Sequence, residues 1–174
     1  MKRLIGHRIV PIFLAGYFIM ITGCATTNPP VKMVPFLDYS TFSATGKTIR
    51  VAEVRVGEIQ TPSEGLVITG EAYRNALRET IGKTGIFRVL SEGSDTDYEC
   101  QAEIISQKVI PGLTANAILF VHYRIIGNRG KGVVFKSSVQ SQHDAYGGDL
   151  TNALETAARE NITKIVNQLS VHSW

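Results

Sequence analysis

Hydrophobic and polar positions change rhythm along this chain, and the change marks the elements. In DYECQAEI, Tyr98, Cys100, Ala102 and Ile104 alternate with Glu99, Gln101 and Glu103. A period of two is that of a strand with one buried face. The rhythm continues in ANAILFVHYRII, where Ala117, Leu119, Val121, Tyr123 and Ile125 share one face. Three long strands are expected at Tyr98–Val109, Ala115–Ile126 and Gly132–Asp144, joined by Pro111-Gly112 and by GNRGKG at Gly127–Gly132. Both joints carry turn chemistry, and short turns between long strands make antiparallel neighbours.

Upstream, TIRVAEVRV (Thr48–Val56) reads as one strand and GEIQTPSEG (Gly57–Gly65) as a loop. From about Thr69 the spacing becomes helical, with Tyr73, Ala76, Leu77 and Ile81 on one stripe. Thr69 suits the N-cap and Gly85 the stop, and IFRVL follows as a short strand. A last helix is expected over Asp149–Leu169, its apolar face running from Leu150 and Leu154 to Val166 and Leu169. Glu155–Arg159 and Glu160–Lys164 sit at i,i+4 on its other side. The order is βαββββα. It predicts a single α+β domain: a curved, mainly antiparallel sheet of about 4–5 strands with two helices packed on one face.

The first apolar run, IVPIFLAGYFIMI (Ile9–Ile21), has 13 residues and follows Lys2, Arg3 and Arg8. A membrane-spanning helix needs about 20 such residues, so this is the pattern of a secretory signal occupying residues 1–23. Residues 24–47 then read as a tether, with Pro29, Pro30 and Pro35 and no period. About 22 such residues reach at most about 70 Å. Val34, Phe36 and Leu37 dock its second half onto the globular domain, 48–174.

Charge takes on a different meaning once the signal is set aside. The chain has 18 basic and 15 acidic residues; without Lys2, Arg3 and Arg8 the balance is 15 to 15. A neutral domain lacks the basic footprint of a nucleic-acid binder. Cys100 lies on the apolar face of its strand and reads as a buried structural thiol, since a reactive one needs a basic, accessible setting. The Gly46-Lys47 and Gly82-Lys83 pairs lack the earlier glycine of a phosphate loop, having Thr41 and Leu77 there, and are turns. His7 goes with the signal, His172 falls in a frayed tail, and His122 and His143 have no metal-ligand spacing. Ser137, Ser138 and Ser141 lie near these histidines in sequence, but no GxSxG elbow accompanies them. The expectation is no metal, no cofactor and no catalysis.

The middle strand is apolar on its second face too, through Ile118, Phe120 and Ile126, with His122 and Arg124 between them. A sheet covered by helices on one side has a wetter outer face. Either the Val34–Leu37 segment or a loop covers these side chains, or the five form a surface for a partner protein or lipid chains.

The junction ITGC (Ile21–Cys24) resembles the lipobox of bacterial lipoproteins. That resemblance implies cleavage before Cys24 and acylation of its thiol, a membrane anchor built from buried methylenes. Ala25 stands where Asp would favour the inner membrane, which implies the periplasmic face of the outer membrane. With YRNALRETIGKTGIFRVL, YECQAEI, VHYRIIGNRGKGVVFKSSV and ALETAARENITKIVNQL in this order, the chain is similar to small Gram-negative envelope lipoproteins. These include auxiliary lipoproteins of ABC-type lipid transport and the LPS-assembly type. The resemblance implies a non-catalytic binding or assembly role with an envelope protein or lipid as partner. A structural part in a secretion or pilus assembly is not separated from it. The alternative, an envelope acyltransferase or hydrolase, lacks support: no hexapeptide period and no nucleophile motif occurs.

Overall fold

The computed structural model describes residues 33–61, 66–93, 95–128, 130 and 132–174. Cys24, the signal and the first part of the tether lie outside the described residues. The elements are β1 (Thr48–Val51), β2 (Arg55–Gln60), α1 (Gly70–Thr84), β3 (Arg88–Val89), β4 (Tyr98–Ile110), β5 (Thr114–Gly127), β6 (Gly132–Tyr146) and α2 (Leu150–Val171). The class is α+β, as the patterning predicts. The sheet differs: it has six strands, is open, and is mixed rather than mainly antiparallel. Its order is β3-β1-β4-β5-β6, with β2 also pairing β4. β4–β5 and β5–β6 are the expected antiparallel hairpins, while β1 runs parallel to both β3 and β4.

Two corrections concern the region before α1. The stretch Thr48–Val56 is not one strand but breaks at Ala52–Val54. The sequence read as a loop from Gly57 supplies most of β2, which pairs parallel with β4 from Arg55↔Glu103 to Gln60↔Lys108. β1 and β2 thus occupy successive stretches of the same edge of β4. Gly57 lies beside a bulge of β4 between Ile104 and Ser106. A Cβ there would stand 2.8 Å from the Ile105 carbonyl oxygen, closer than side chains allow.

α1 begins where its residues dictate. The Thr69 hydroxyl accepts from the Ala72 N–H at 3.1 Å, and Gly85 closes the helix at φ 67°. Both match the sequence reading. Tyr73, Ala76, Leu77 and Ile81 are fully buried, as are Ala157, Ala158, Ile162, Ile165, Val166 and Leu169 of α2. Both helices cover the same face of the sheet: the Tyr73 hydroxyl of α1 and Asn161 of α2 meet Tyr123 of β5 in the core. Cys100 is buried on that face, and burial pushes its thiol up to about 12, too protonated to act as a nucleophile.

The segment before β1 joins the domain. Met33 and Val34 are buried and Leu37 packs on the core, whereas Phe36 is 96% exposed. Its 3₁₀ turn (Tyr39–Thr41) lies against α1, on the helical side of the sheet. The C-terminal tail is a further correction, because it is docked rather than frayed. Trp174 stacks edge-on against Phe87, Tyr98 and His172, its indole N–H donating to the Leu169 carbonyl at 2.7 Å, and His172 also meets Phe135.

One buried polar residue holds the approach to α1 in place. Gln107 is fully buried on the helical face of β4; its amide accepts from Ile68 N–H at 2.9 Å and donates to Ile68 C=O at 2.8 Å. A side chain here does the work of a neighbouring strand, satisfying two backbone groups that burial would otherwise leave without partners. Gln107→Leu is expected to lower stability by about 3 kcal/mol, since each orphaned buried group costs about 1–3 kcal/mol. Denaturant unfolding checks it, as a lower midpoint with an unchanged slope.

Candidate functional site

The outer face of the sheet, away from the helices, carries every residue of the predicted surface on β5. Period-two geometry sends Ile118, Phe120, His122, Arg124 and Ile126 to that face, opposite to the buried Leu119, Val121, Tyr123 and Ile125. Their environments differ. Ile118, Phe120 and Ile126 are half-buried, while His122 and Arg124 are exposed. Polar neighbours flank two of the apolar three, Lys108 and Gln142 beside Ile118 and Ser106 and Gln140 beside Phe120, while Ile126 lies between Glu99 and Val133. The Phe120 ring meets the His122 ring edge-on, centroids 5.0 Å apart.

His122 and Arg124 are instead the centre of a polar groove of about 710 Å3. It opens where the edge of the sheet breaks between β1 and β2, so that Ala52 and Glu53 form one wall. Strand register builds its floor in two rows. In the first, Arg55, Glu103, His122 and Ser138 lie side by side across β2, β4, β5 and β6. In the second, Gln101, Arg124 and Lys136 lie across β4, β5 and β6. Beyond the second row, Arg50 pairs with Glu99, its Nε donating at 2.7 Å. The Gln101 amide also donates to Glu99, and with Arg50 it holds that carboxyl below its ordinary range.

The cations at the centre are not paired in this way. Among the described residues, no salt bridge involves Arg55, Arg124 or Lys136. Arg124 and Lys136 stand directly opposite each other, an arrangement that destabilises a bare sheet. The groove therefore offers two guanidinium groups, an ammonium, a hydroxyl and an imidazole to a ligand, with Glu103 as acceptor.

The first row also sets a hydroxyl, an imidazole and a carboxylate in the order of a hydrolytic triad. No hydrogen bond links Ser138 to His122 or His122 to Glu103 among the described residues, and both Ser138 and His122 are exposed. The other histidine of the sheet is engaged elsewhere: His143 Nδ1 lies 3.1 Å from Glu160 of α2. Glu160 and Lys164 thus both turn toward β6, Lys164 donating to the Gln140 carbonyl at 2.9 Å. No group of three or more His, Cys, Asp or Glu side chains gathers at metal-binding range among the described residues, and no described helix is long and apolar enough to cross a membrane.

Arg55, Gln101, Glu103 and Lys136 are not site candidates on sequence grounds, and Ser138 is one only as a hydroxyl near the histidines. Gln101 and Glu103 carry the signal for it, since they alternate with Cys100 and Ala102. Arg55 carries none, because the strand that positions it was read as ending at Val56.

The fold is shared with solved bacterial proteins. A Xanthomonas campestris protein of the DUF330 family superposes with a TM-score of 0.60 at 12% identity, over 76% of this chain and 86% of that one. The PelC dodecamer subunit of Paraburkholderia phytofirmans gives 0.54 at 16% identity, over 75% and 91%. A Chlamydia trachomatis protein gives 0.54 at 9% identity, over 72% and 96%. At such identities the likeness is one of fold. No protein-family model matches the chain, and no curated protein matches it in sequence.

Proposed function

We propose that this protein is a lipid-anchored, non-catalytic binding or assembly accessory of the Gram-negative cell envelope, held at the periplasmic face of the outer membrane through Cys24. Three features support this reading: the lipobox-like ITGC junction, a fold that recurs in bacterial proteins including a subunit of an oligomeric assembly, and an open sheet face with a polar groove. The observation that carries it is the like-charge pair Arg124 and Lys136 at the groove's centre. Two cations facing each other, neither in a salt bridge among the described residues, are stabilised by an anionic group of a partner. The finer role is auxiliary to lipid or lipopolysaccharide transport or to a secretion complex.

The double variant Arg124→Glu/Lys136→Glu tests the groove in a crosslinking pull-down from the envelope fraction. Partner recovery should fall roughly ten-fold or more, as reversal puts like charges against the partner's anion. The melting temperature should hold, since both side chains are exposed. Unchanged recovery from a folded variant would overturn the assignment. The hydrolytic alternative rests on the Ser138–His122–Glu103 row. Ser138→Ala separates the two readings: the accessory reading expects cellular function to persist, and a hydrolase would lose it.

A further inference from the structure

An open sheet exposes edges, and this one guards two of its three. At the β6 edge, Lys164 reaches from α2 to the Gln140 carbonyl, and a register shift between Ile125 and Ile126 interrupts the ladder. At the far edge, β3 has only two residues. Such devices discourage strands from adding on. The β2 edge is more open: its pairing with β4 skips Gly57, but all six residues from Arg55 to Gln60 are exposed, and no further strand pairs with them among the described residues.

The side chains of β2 are arranged symmetrically about its centre. Val56 and Ile59 sit opposite the buried Ile104 and Gln107, so both lie on the helical face, yet they are 36% and 45% exposed. Arg55 and Glu58 sit opposite Glu103 and Ser106, on the outer face. We propose that β2 pairs antiparallel with β2 of a second copy about a two-fold axis between Gly57 and Glu58. In that register Val56 of each copy faces Ile59 of the other, covering both apolar side chains. Arg55 faces Gln60 and lies diagonal to Glu58 of the other copy, within reach of an opposite charge. Gly57 faces Glu58, so no like charges meet directly. A two-fold contact is self-complementary, and a strand with apolar and charged residues at mirrored places meets that condition. The ladder is short, below the area of a standard stable interface, so the dimer is a weak one best captured covalently.

Cysteine pairs in the full chain test this register. Val56→Cys/Ile59→Cys should give a disulfide-linked dimer on mild oxidation. Directly opposed residues have Cα atoms about 4.5–5.5 Å apart, within the range a disulfide bridges. Either single variant should give roughly ten-fold less, because each new cysteine then faces an unchanged residue. Cys100, being buried, serves as the internal background. An absent dimer in a double variant with an unchanged melting temperature would overturn the proposal. Equal crosslinking by the single variants, a ladder of larger oligomers, or a product with a different protein alone would overturn it as well.

Discussion

Gly70→Ala is expected to destabilise the protein by about 3–4 kcal/mol, as large as single substitutions commonly become. Gly70 is the first residue of α1 and packs its backbone on the chain between β1 and β2. A Cβ there would stand 2.1 Å from the Val54 carbonyl oxygen and 3.4 Å from Val56 Cγ2. The first obstacle is backbone, so relief requires moving either the helix or the break that forms the groove wall. The expected fall in melting temperature is roughly 10 °C. Gly82→Ala is the control within the same helix, since the nearest atom to its added methyl is Val89 Cγ2 at 3.8 Å. That change should stabilise by about 0.5–1 kcal/mol, the helix-propensity gain of alanine over glycine. Thermal unfolding of the two variants side by side checks both signs, and a neutral Gly70→Ala would contradict the close packing.

The second large effect belongs to the buried junction of α1, β5 and α2. The hydroxyls of Tyr73 and Tyr123 touch each other, and both reach Asn161 Oδ1, at 3.0 and 2.7 Å. The Asn161 amide then donates to the Val139 carbonyl at 2.9 Å and to Ser141 Oγ at 3.2 Å. Burial holds both phenols above their ordinary range, so both stay neutral donors. Asn161→Leu should cost about 3 kcal/mol by leaving buried groups on two strands without a partner. Tyr73→Phe and Tyr123→Phe should each cost about 1 kcal/mol, because the remaining hydroxyl still supplies Asn161. Together they strip Asn161 Oδ1 of both donors, and the loss should exceed the sum of the singles by about 1 kcal/mol or more. A denaturant double-mutant cycle measures the excess; strict additivity would contradict the shared acceptor.

The elements that the sequence made legible are those whose signal is local. α1 carries its own cap and stop in Thr69 and Gly85, and β4 and β5 alternate with few interruptions, so their faces follow from the sequence. β2 escaped because nothing covers it. With all six residues exposed and Gly57 breaking the run, Arg55–Gln60 has no alternation to read, and its pairing with β4 is long-range. The parallel pairing of β1 with β3 and β4 is long-range too, although β1 itself alternates and buries Ile49 and Val51. Gln107 shows the converse: a polar residue on a buried face, placed there by the needs of the Ile68 backbone rather than by any pattern on its own strand.

The site divides in the same way. His122 and Arg124 could be placed on the outer face by parity alone, and they stand there with Ile118, Phe120 and Ile126. That Lys136 faces Arg124, or that Arg55 lies beyond Glu103, depends on the register of three pairings, including a β4 bulge no residue announces. The sequence offers the five residues as one candidate surface for a partner or lipid chains. The structure shows half-buried aliphatic and aromatic groups on either side of a charged centre, a division set by cross-strand neighbours.

Site-specific photo-crosslinking in the living envelope shows whether the groove holds a partner. A photoreactive residue at Ser138, beside His122 in the groove, is compared with one at Arg78, exposed on α1. A partner held in the groove should give a discrete product from position 138 that disappears in the Arg124→Glu/Lys136→Glu background, with none from position 78. No product from position 138, or one that survives the charge reversal unchanged, would contradict it.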